Sequence, residues 1–388
     1  MTYVKNKIIR VTSRLQLAIA AVTFFMLRLL INRPQKGYIV VGAETSSILK
    51  NISQALPGAI SVNLAPNPFY DFNYDYELYP RKGVFKFIRL IKRAYYLGLF
   101  SAKYKKFIYL GSGSLVSPYI DGREGEFNFL CKRKNEVICY FLGSEIRSFK
   151  LMLEFGDRMQ IDLITTYQSM SSPDIASIEQ EHRRMLLGLV ADNYASKIFN
   201  PSVDQMAYIK RECLPFYYFV PDELFDTANF DKFDNPNEII VLHGPSSPLI
   251  KGTPLVRAAV KKLKEEGYRF NYLELINVPH VKVIDSLKNA HVVLNEFYAF
   301  VPGVFGLEAM ACKCALLTSG TRSIEGSLPE GADSAWLVTP YWNIYENLKF
   351  ILDNPVEMKR QAQRGFEWSY RNYLSSISSK KMRDHIDD

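Results

Sequence analysis

Short apolar runs alternate along most of the chain with longer segments of helical periodicity. In the first half these runs lie at residues 38–41, 60–64, 107–110, 137–141, 163–166 and 197–199. Short runs without a polar face are typical of strands buried on both sides of a parallel sheet, with helices covering the sheet. Residues 65–80 interrupt the series because they are rich in Pro, Asn, Asp and aromatic residues. We predict a long loop there.

A second alternating series follows residues 201–236, a segment that contains Pro201, Pro215, Pro221 and Pro236 and predicts an interdomain linker. Strand-like runs then recur near residues 239–243, 272–275, 291–297, 315–318 and 336–339, with helical patterns between and after them. The chain is long enough for two domains of ordinary size. The pattern predicts an α/β fold with two doubly wound domains at 37–200 and 237–365, preceded by residues 1–33 and followed by a helix at 366–388.

Positive charge is concentrated near the N-terminus. Residues 1–43 and 81–106 contain 16 of the 48 basic residues and no acidic residue, which leaves 32 basic against 40 acidic residues elsewhere. Such patches suit nucleic acid or anionic lipid. Residues 84–96 also have amphipathic periodicity. That segment is either a core-packed helix with a solvated basic face, or a face for lipid headgroups or a phosphate-bearing acceptor.

The first basic segment favours lipid over nucleic acid. Residues 15–27 carry no charge but are too few to span a bilayer, and Lys7, Arg10, Arg14 and Arg28 fall on one stripe of a helical wheel. This pattern predicts a helix lying in the membrane interface, on an anionic surface. A cleaved signal peptide is disfavoured because no small-residue cleavage site is present. A short signal anchor is the remaining alternative. We expect residues 1–33 to be removable without unfolding the protein.

The five cysteines are an odd number with no framework spacing, which indicates a reducing compartment. Cys312 and Cys314 flank Lys313, and they are either structural thiols or part of a metal site that needs further ligands.

Candidate chemistry lies at the glycine-bearing turn, Gly303, that opens a helix predicted to start over Val304 to Ala311. A helix that opens on glycine presents free N–H groups and the positive end of its dipole, which suit a phosphate. Glu308 lies about one turn inside, where a carboxylate can reach a sugar hydroxyl. Two other loops follow predicted strands: residues 243–253, with a Lys251-Gly252 pair before a helix, and residues 143–147, with Gly143 and Arg147.

These three segments resemble retaining glycosyltransferases of the GT-B fold, of the bacterial polysaccharide-biosynthesis type. The resemblance implies two Rossmann-like domains facing a central cleft, with the last helix crossing back to the first domain. It implies that Lys251 neutralises the donor's diphosphate, that Gly303 faces that diphosphate and that Glu308 binds the ribose. With Lys251 and Glu308, Arg147 completes the implied catalytic set; the implied substrate-binding residues are Gly143, Ser144, Glu145, His243, Gly244, His280, Asn295, Glu296, Gly303 and Val304.

The sequence departs from this family at three positions. Phe300 stands where many members have a first glutamate, Pro248 lies near the place of an arginine, and Lys313 replaces a glycine after the donor helix. That glycine is favoured because the chain turns left-handed there. These departures motivate an alternative, a catalytically degenerate binding or scaffolding subunit. Glu145 and Arg147 either lie on a loop that faces the cleft or form a local ion pair with each other.

The resemblance implies sugar transfer, with retention, from a nucleotide sugar to a lipid-linked or cell-envelope saccharide. No metal or other cofactor is required by this arrangement. We expect a peripheral protein on the cytoplasmic face of the plasma membrane, with no nucleic-acid partner. A nicotinamide enzyme is disfavoured because no complete Gly-x-Gly-x-x-Gly motif is present, and a nucleotide-sugar epimerase is disfavoured by the membrane-type segments.

Overall fold

The computed structural model describes residues 2–31, 35–79, 86–227, 229–234 and 236–387. The parts of the predicted basic segments at Arg33 and at residues 81–85 lie outside the described residues.

The first domain is built on a parallel sheet of six strands in the order β3-β2-β1-β4-β5-β6. The strands are β1 (Gln35–Gly42), β2 (Ile60–Asn63), β3 (Tyr76–Glu77), β4 (Tyr104–Leu110), β5 (Glu136–Tyr140) and β6 (Lys197–Phe199). The helices are α2 (Ile48–Ala55), α3 (Lys86–Lys103), α4 (Glu124–Cys131), α5 (Phe149–Met159), α6 (Ile164–Ser171) and α7 (Ile178–Tyr194). The sheet grows outwards in both directions from β1 and β4, so it is doubly wound, as predicted.

Two local predictions in this domain were wrong. The run at 163–166, predicted as a strand, begins α6, because a short buried run does not distinguish a strand from a helix. The backbone of Leu163 bonds to the Thr166 hydroxyl over 3.3 Å, and Ile164 N donates to Tyr298 O over 3.0 Å. The predicted loop at 65–80 contains β3, which pairs with β2 through Tyr76 and Glu77.

The second domain has a parallel sheet of five strands in the order β11-β10-β9-β7-β8. These are β7 (Ile240–His243), β8 (Asn271–Glu274), β9 (Val292–Leu294), β10 (Ala315–Thr318) and β11 (Leu337–Val338). Helices α8 (Thr253–Glu265), α9 (His280–Asn289), α10 (Gly303–Ala311), α11 (Ala332–Ala335), α12 (Ile344–Asp353), α13 (Pro355–Tyr373) and α14 (Ser375–Ile386) accompany them. The two sheets confirm the predicted pair of Rossmann-like domains.

The C-terminal helix contacts the first domain, but it is not continuous from residue 366. The chain leaves α13 at Leu374, which is extended, and then forms α14. The Ser379 hydroxyl donates to Ala55 O at the end of α2 over 2.6 Å, and Lys106 pairs with Asp387 at 2.9 Å. The last helix therefore crosses back, as the resemblance implied.

The N-terminal helix α1 (Thr2–Arg28) packs on α3 and α4. Gln16 and Ala20 are buried, and the Gln16 amide bonds to Leu90 O and to Ser117 N, each over 3.1 Å. These contacts count against the expectation that residues 1–33 are dispensable for folding, which stays a prediction for a truncated protein to test. By length and composition alone, Val4–Arg28 is also long and apolar enough to cross a bilayer, a test that core helices and signal sequences pass as well.

The two domains are joined by a hydrophobic cluster beside the cleft. Met152, Phe155, Leu163 and Ile164 come from the first domain, and Tyr298 and Phe300 come from the second. The Glu325 carboxylate also crosses from the second domain, because it accepts hydrogen bonds from the backbone of residues 202–204. These contacts fix the two sheet edges that form the site.

Candidate functional site

A cavity of about 540 Å³ lies between the carboxyl ends of the two sheets. Ligands of open α/β folds bind at this edge. Every predicted catalytic or substrate-binding residue lines this cavity except Glu145 and His243. The residues come from four separate segments of the chain, so the fold brings together the loops that the sequence analysis singled out.

The start of α10 forms one wall of the cleft. Gly303 has a φ of 62°, a left-handed conformation that glycine adopts without strain. The loop before it is held by Asn295, whose side-chain amide donates to Pro302 O over 2.7 Å and to the Thr318 hydroxyl over 3.3 Å. The first turn of α10 carries no acidic side chain. Its free N–H groups and those near Val304 are therefore available to an anion.

Glu308 lies in the same wall and is paired with His280. The His280 Nε2 atom donates to Glu308 Oε1 over 2.7 Å. Burial lowers the pKa of His280, but the hydrogen bond and the charge of Glu308 outweigh burial and raise it overall. The ring of Tyr70, from the first domain, lies 5.1 Å from the His280 ring between centroids. Glu308, His280 and Tyr70 therefore form one contiguous group in this wall.

Lys251 reaches the cleft from the loop between β7 and α8. Gly252, with a φ of 76°, ends that loop as the N-cap of α8. The Lys251 ammonium forms an ion pair with the carboxylate of Glu296, just beyond β9. Burial raises the pKa of Glu296, although Lys251 opposes the shift. The sequence placed Glu296 among the binding residues but gave no sign of this pair.

His243 does not line the cleft. Its Nδ1–H donates to Leu294 O over 2.7 Å, and its Nε2 accepts from the Thr253 hydroxyl over 2.8 Å. Burial lowers the pKa of His243 to about 4, so the ring is neutral at pH 7. Both nitrogens are occupied, and the ring joins β9 to the start of α8 instead of facing a ligand. The neighbouring Gly244 does line the cleft, against the ring of Phe305.

The loop after β5 brings Arg147 to the cleft but not as a free cation. Its guanidinium donates to the backbone oxygen of Asp204 over 2.7 Å and to the Asp204 carboxylate over 3.0 Å. The predicted alternative of a Glu145–Arg147 pair is not formed; Glu145 instead accepts from Leu142 N over 2.6 Å. Gly143, with a φ of 154°, and Ser144 complete this loop.

Phe300, at the position of the missing glutamate, does not line the cleft. Its side chain is 5% exposed and meets Phe155 edge-on at 6.0 Å between ring centroids. Its backbone N–H donates to the Asp204 carboxylate over 2.8 Å. Phe300 therefore belongs to the contact between the domains.

Tyr70 and Asp204 are site residues that the sequence analysis missed. Tyr70 lies in the segment predicted only as a loop, and Asp204 lies in the predicted linker. Neither position has a local motif, and only the packing of the two domains brings them to the cleft.

The turn after α10 is left-handed, as predicted, although Lys313 stands where the family has glycine. Lys313 has a φ of 58°, and the Cys314 and Lys313 N–H groups return to Ala309 O and Met310 O over 3.0 and 2.9 Å. This is the left-handed turn that usually takes glycine. Cys312 and Cys314 are buried free thiols, and the described part of the chain contains no group of three His, Cys, Asp or Glu side chains placed to hold a metal.

No family model matches the sequence, and no curated protein matches it. Solved structures match over most of the chain. Sucrose-phosphate synthase from Thermosynechococcus elongatus is 14% identical, with 91% of this chain and 98% of that chain covered and a TM-score of 0.58. HepE from Anabaena, in complex with UDP-glucose, is 11% identical, with 90% and 99% covered and a TM-score of 0.56.

WaaG, a glycosyltransferase involved in lipopolysaccharide biosynthesis, is 11% identical, with 91% of this chain and all 100% of that chain covered and a TM-score of 0.55. At such identities the likeness concerns the fold. It confirms that the chain has the GT-B arrangement of two Rossmann-like domains around a cleft.

Proposed function

We propose that the protein is a glycosyltransferase that uses a nucleotide sugar as its donor. The observation that carries this proposal is the convergence of Lys251, the Gly303 turn and Glu308 on one cavity at the ends of the second sheet. Lys251 and the α10 amides would bind the diphosphate, and Glu308 would bind the ribose. Negative charge grows on the diphosphate as it leaves, and fixed positive groups stabilise that charge. This chemistry needs no resident metal.

The acceptor would bind to the first domain. A second cavity of about 380 Å³ adjoins the cleft and shares Thr45, Leu142 and Ser144 with it. Glu145 and the turn at Gly111 line it. We propose that a saccharide hydroxyl enters from this side, towards the donor sugar, and that transfer proceeds with retention. Arg147, held by Asp204, would keep the intervening loop in place.

The acceptor would be lipid-linked or part of the cell envelope, because one outer surface of the first domain suits a membrane. On α1 the exposed apolar residues share about 100° of the helical wheel: Val4, Ile8, Val11, Leu15, Val22, Phe25 and Met26. The basic stripe of Lys7, Arg10, Arg14 and Arg28 borders them. We propose that this face lies in the cytoplasmic leaflet, held by apolar burial and by anionic headgroups.

Titration with nucleotide sugars tests the donor site. We expect Lys251→Ala and Glu308→Gln each to weaken binding about ten- to a hundredfold, because a charge-assisted hydrogen bond contributes about 1.5–3 kcal/mol. Lys261→Ala is the matched control, since the Lys261 side chain is 77% exposed on α8, outside the cleft. Equal binding by the parent and by both cleft variants would show that the donor binds elsewhere.

The second candidate is a catalytically degenerate binding protein of the same fold. Phe300 favours it, because the family's first glutamate is replaced by a buried ring that does not face the cleft. Such a protein would bind the donor through Lys251 and Glu308 but would neither transfer nor hydrolyse the sugar.

A further inference from the structure

Glu296 contacts both groups that the proposed function assigns to the donor's diphosphate. The side chain follows β9 and the residue is only 5% exposed. One carboxylate oxygen pairs with the Lys251 ammonium. The other lies against Gly303, where an added Cβ would come within 3.1 Å of it. A single carboxylate of the protein therefore lies where an anionic ligand of this cleft would bind.

The charged groups around Glu296 come from both domains. Arg147 acts on it from the first domain and Asp204 from the linker, but they neutralise each other in an ion pair of 3.0 Å. Thr318, the last residue of β10, and the following Ser319 bring only hydroxyls, which donate to the backbone oxygen of Glu296 over 2.9 and 3.2 Å. Among the described residues, Lys251 is the one cation in ion-pair contact with Glu296.

We propose that donor binding at this cleft is linked to the uptake of a proton by Glu296. The proposal rests on the proposed function, because it takes Lys251 and the Gly303 turn as the diphosphate site. A diphosphate that binds Lys251 brings a second anion beside the Glu296 carboxylate, where water is scarce. Two anions at one cation favour the neutral form of the carboxylic acid. The proton comes from solvent, and the resulting acid can donate its O–H to a phosphate or sugar oxygen.

Burial acts in the same direction, because it already raises the pKa of Glu296 before a ligand is added. A smaller shift on binding is then enough to bring protonation into the neutral range. The complex would hold more protons than the free protein, so affinity should fall as pH rises, by at most about tenfold per pH unit for one proton. The fall should cover the interval between the pKa of free Glu296 and its higher value in the complex.

Calorimetric titration in buffers of different ionisation enthalpy measures the linked protons directly. The probes are UDP-glucose, GDP-mannose and ADP-glucose, whose doubly esterified diphosphates do not titrate near neutral pH. At pH 7 we expect net proton uptake by the parent. Glu296→Gln should lose this uptake and bind about tenfold more tightly, since Lys251 is released and a like charge is removed.

Glu274→Gln is the matched control, since it makes the same change at the end of β8. Glu274 pairs with Arg257 at 2.5 Å and does not line the cleft. That variant should keep the parent's affinity and proton uptake. His280 titrates in all three proteins, so a difference confined to Glu296→Gln belongs to Glu296.

Donor binding by the parent without proton uptake overturns the inference, whether or not Glu296→Gln folds, and leaves the donor site intact. Equal uptake by the parent and Glu296→Gln also overturns it. Glu296→Asp, which keeps a carboxylate, should retain the uptake, and its loss there would count against the inference. If none of the three nucleotide sugars binds, both the inference and the proposed function fail.

Discussion

Substituting Phe300 by glutamate should not restore the family's first glutamate but should weaken the contact between the domains. The ring is 5% exposed and lies in the cluster with Phe155, Leu163 and Tyr298. Truncating a buried phenylalanine to alanine costs about 3–5 kcal/mol. A carboxylate in the same place adds a charge without a cation, next to the Asp204 carboxylate that accepts from Phe300 N.

The expected loss is therefore at least about 4 kcal/mol, or a fall in Tm of roughly 8 °C or more if each kcal/mol lowers it by about 2 °C. Thermal unfolding followed by circular dichroism measures this. Phe300→Leu should cost less than about 1.5 kcal/mol because most of the apolar volume stays.

Phe350→Ala provides the matched surface control. Phe350 is 46% exposed on α12, and its truncation should change stability by about 0.5 kcal/mol or less. A Phe300→Glu protein as stable as the parent would refute the assignment of Phe300 to the interdomain cluster. It would also indicate that the side chain at position 300 faces the cleft.

Two further predictions concern the helix surface and the Glu308 pair. Ile8→Ser should reduce sedimentation with anionic vesicles, because burial of Ile8 in lipid would contribute about 1.5–3 kcal/mol to membrane binding. It should not lower Tm, because Ile8 is 61% exposed in the folded protein. Unchanged sedimentation would show that this face of α1 does not contact the membrane. By NMR titration, His280 should have a pKa above 6.5, and this pKa should fall in Glu308→Gln. The ion pair with Glu308 then stabilises the fold fully below about pH 6.5, and this stabilisation is lost as pH rises through the raised pKa of His280. A pKa that does not respond to Glu308→Gln would contradict the pairing.

The alternation of strands and helices and the donor loops could be predicted because each depends on local signals. Buried apolar runs and the glycines at 252 and 303 determine where strands end and helices begin, and parallel strands bring those ends to one edge. This was enough to place Lys251 and Glu308 in one cleft. The predicted left-handed turn at Lys313 was confirmed for the same reason.

The remaining features depend on contacts between distant parts of the chain. The run at 163–166 became helical although its pattern also suited a strand, and α6 meets the second domain through Ile164 N. The partners of Arg147 and Glu296 could not be deduced, because Asp204 and Lys251 lie far from them in sequence. The N-terminal helix was predicted from its charge pattern, but its buried face, with Gln16 and Ala20, depends on α3.

Following a labelled sugar from its nucleotide to an acceptor tests whether the protein is a glycosyltransferase. Purified protein would be incubated with radiolabelled nucleotide sugars and an extract of cell-envelope lipids, with Lys251→Ala as the inactive control. We expect label in the lipid or saccharide fraction with the parent and at least tenfold less with Lys251→Ala. Donor binding by the parent with neither transfer nor hydrolysis would contradict it and would identify the protein as a binding member of the fold.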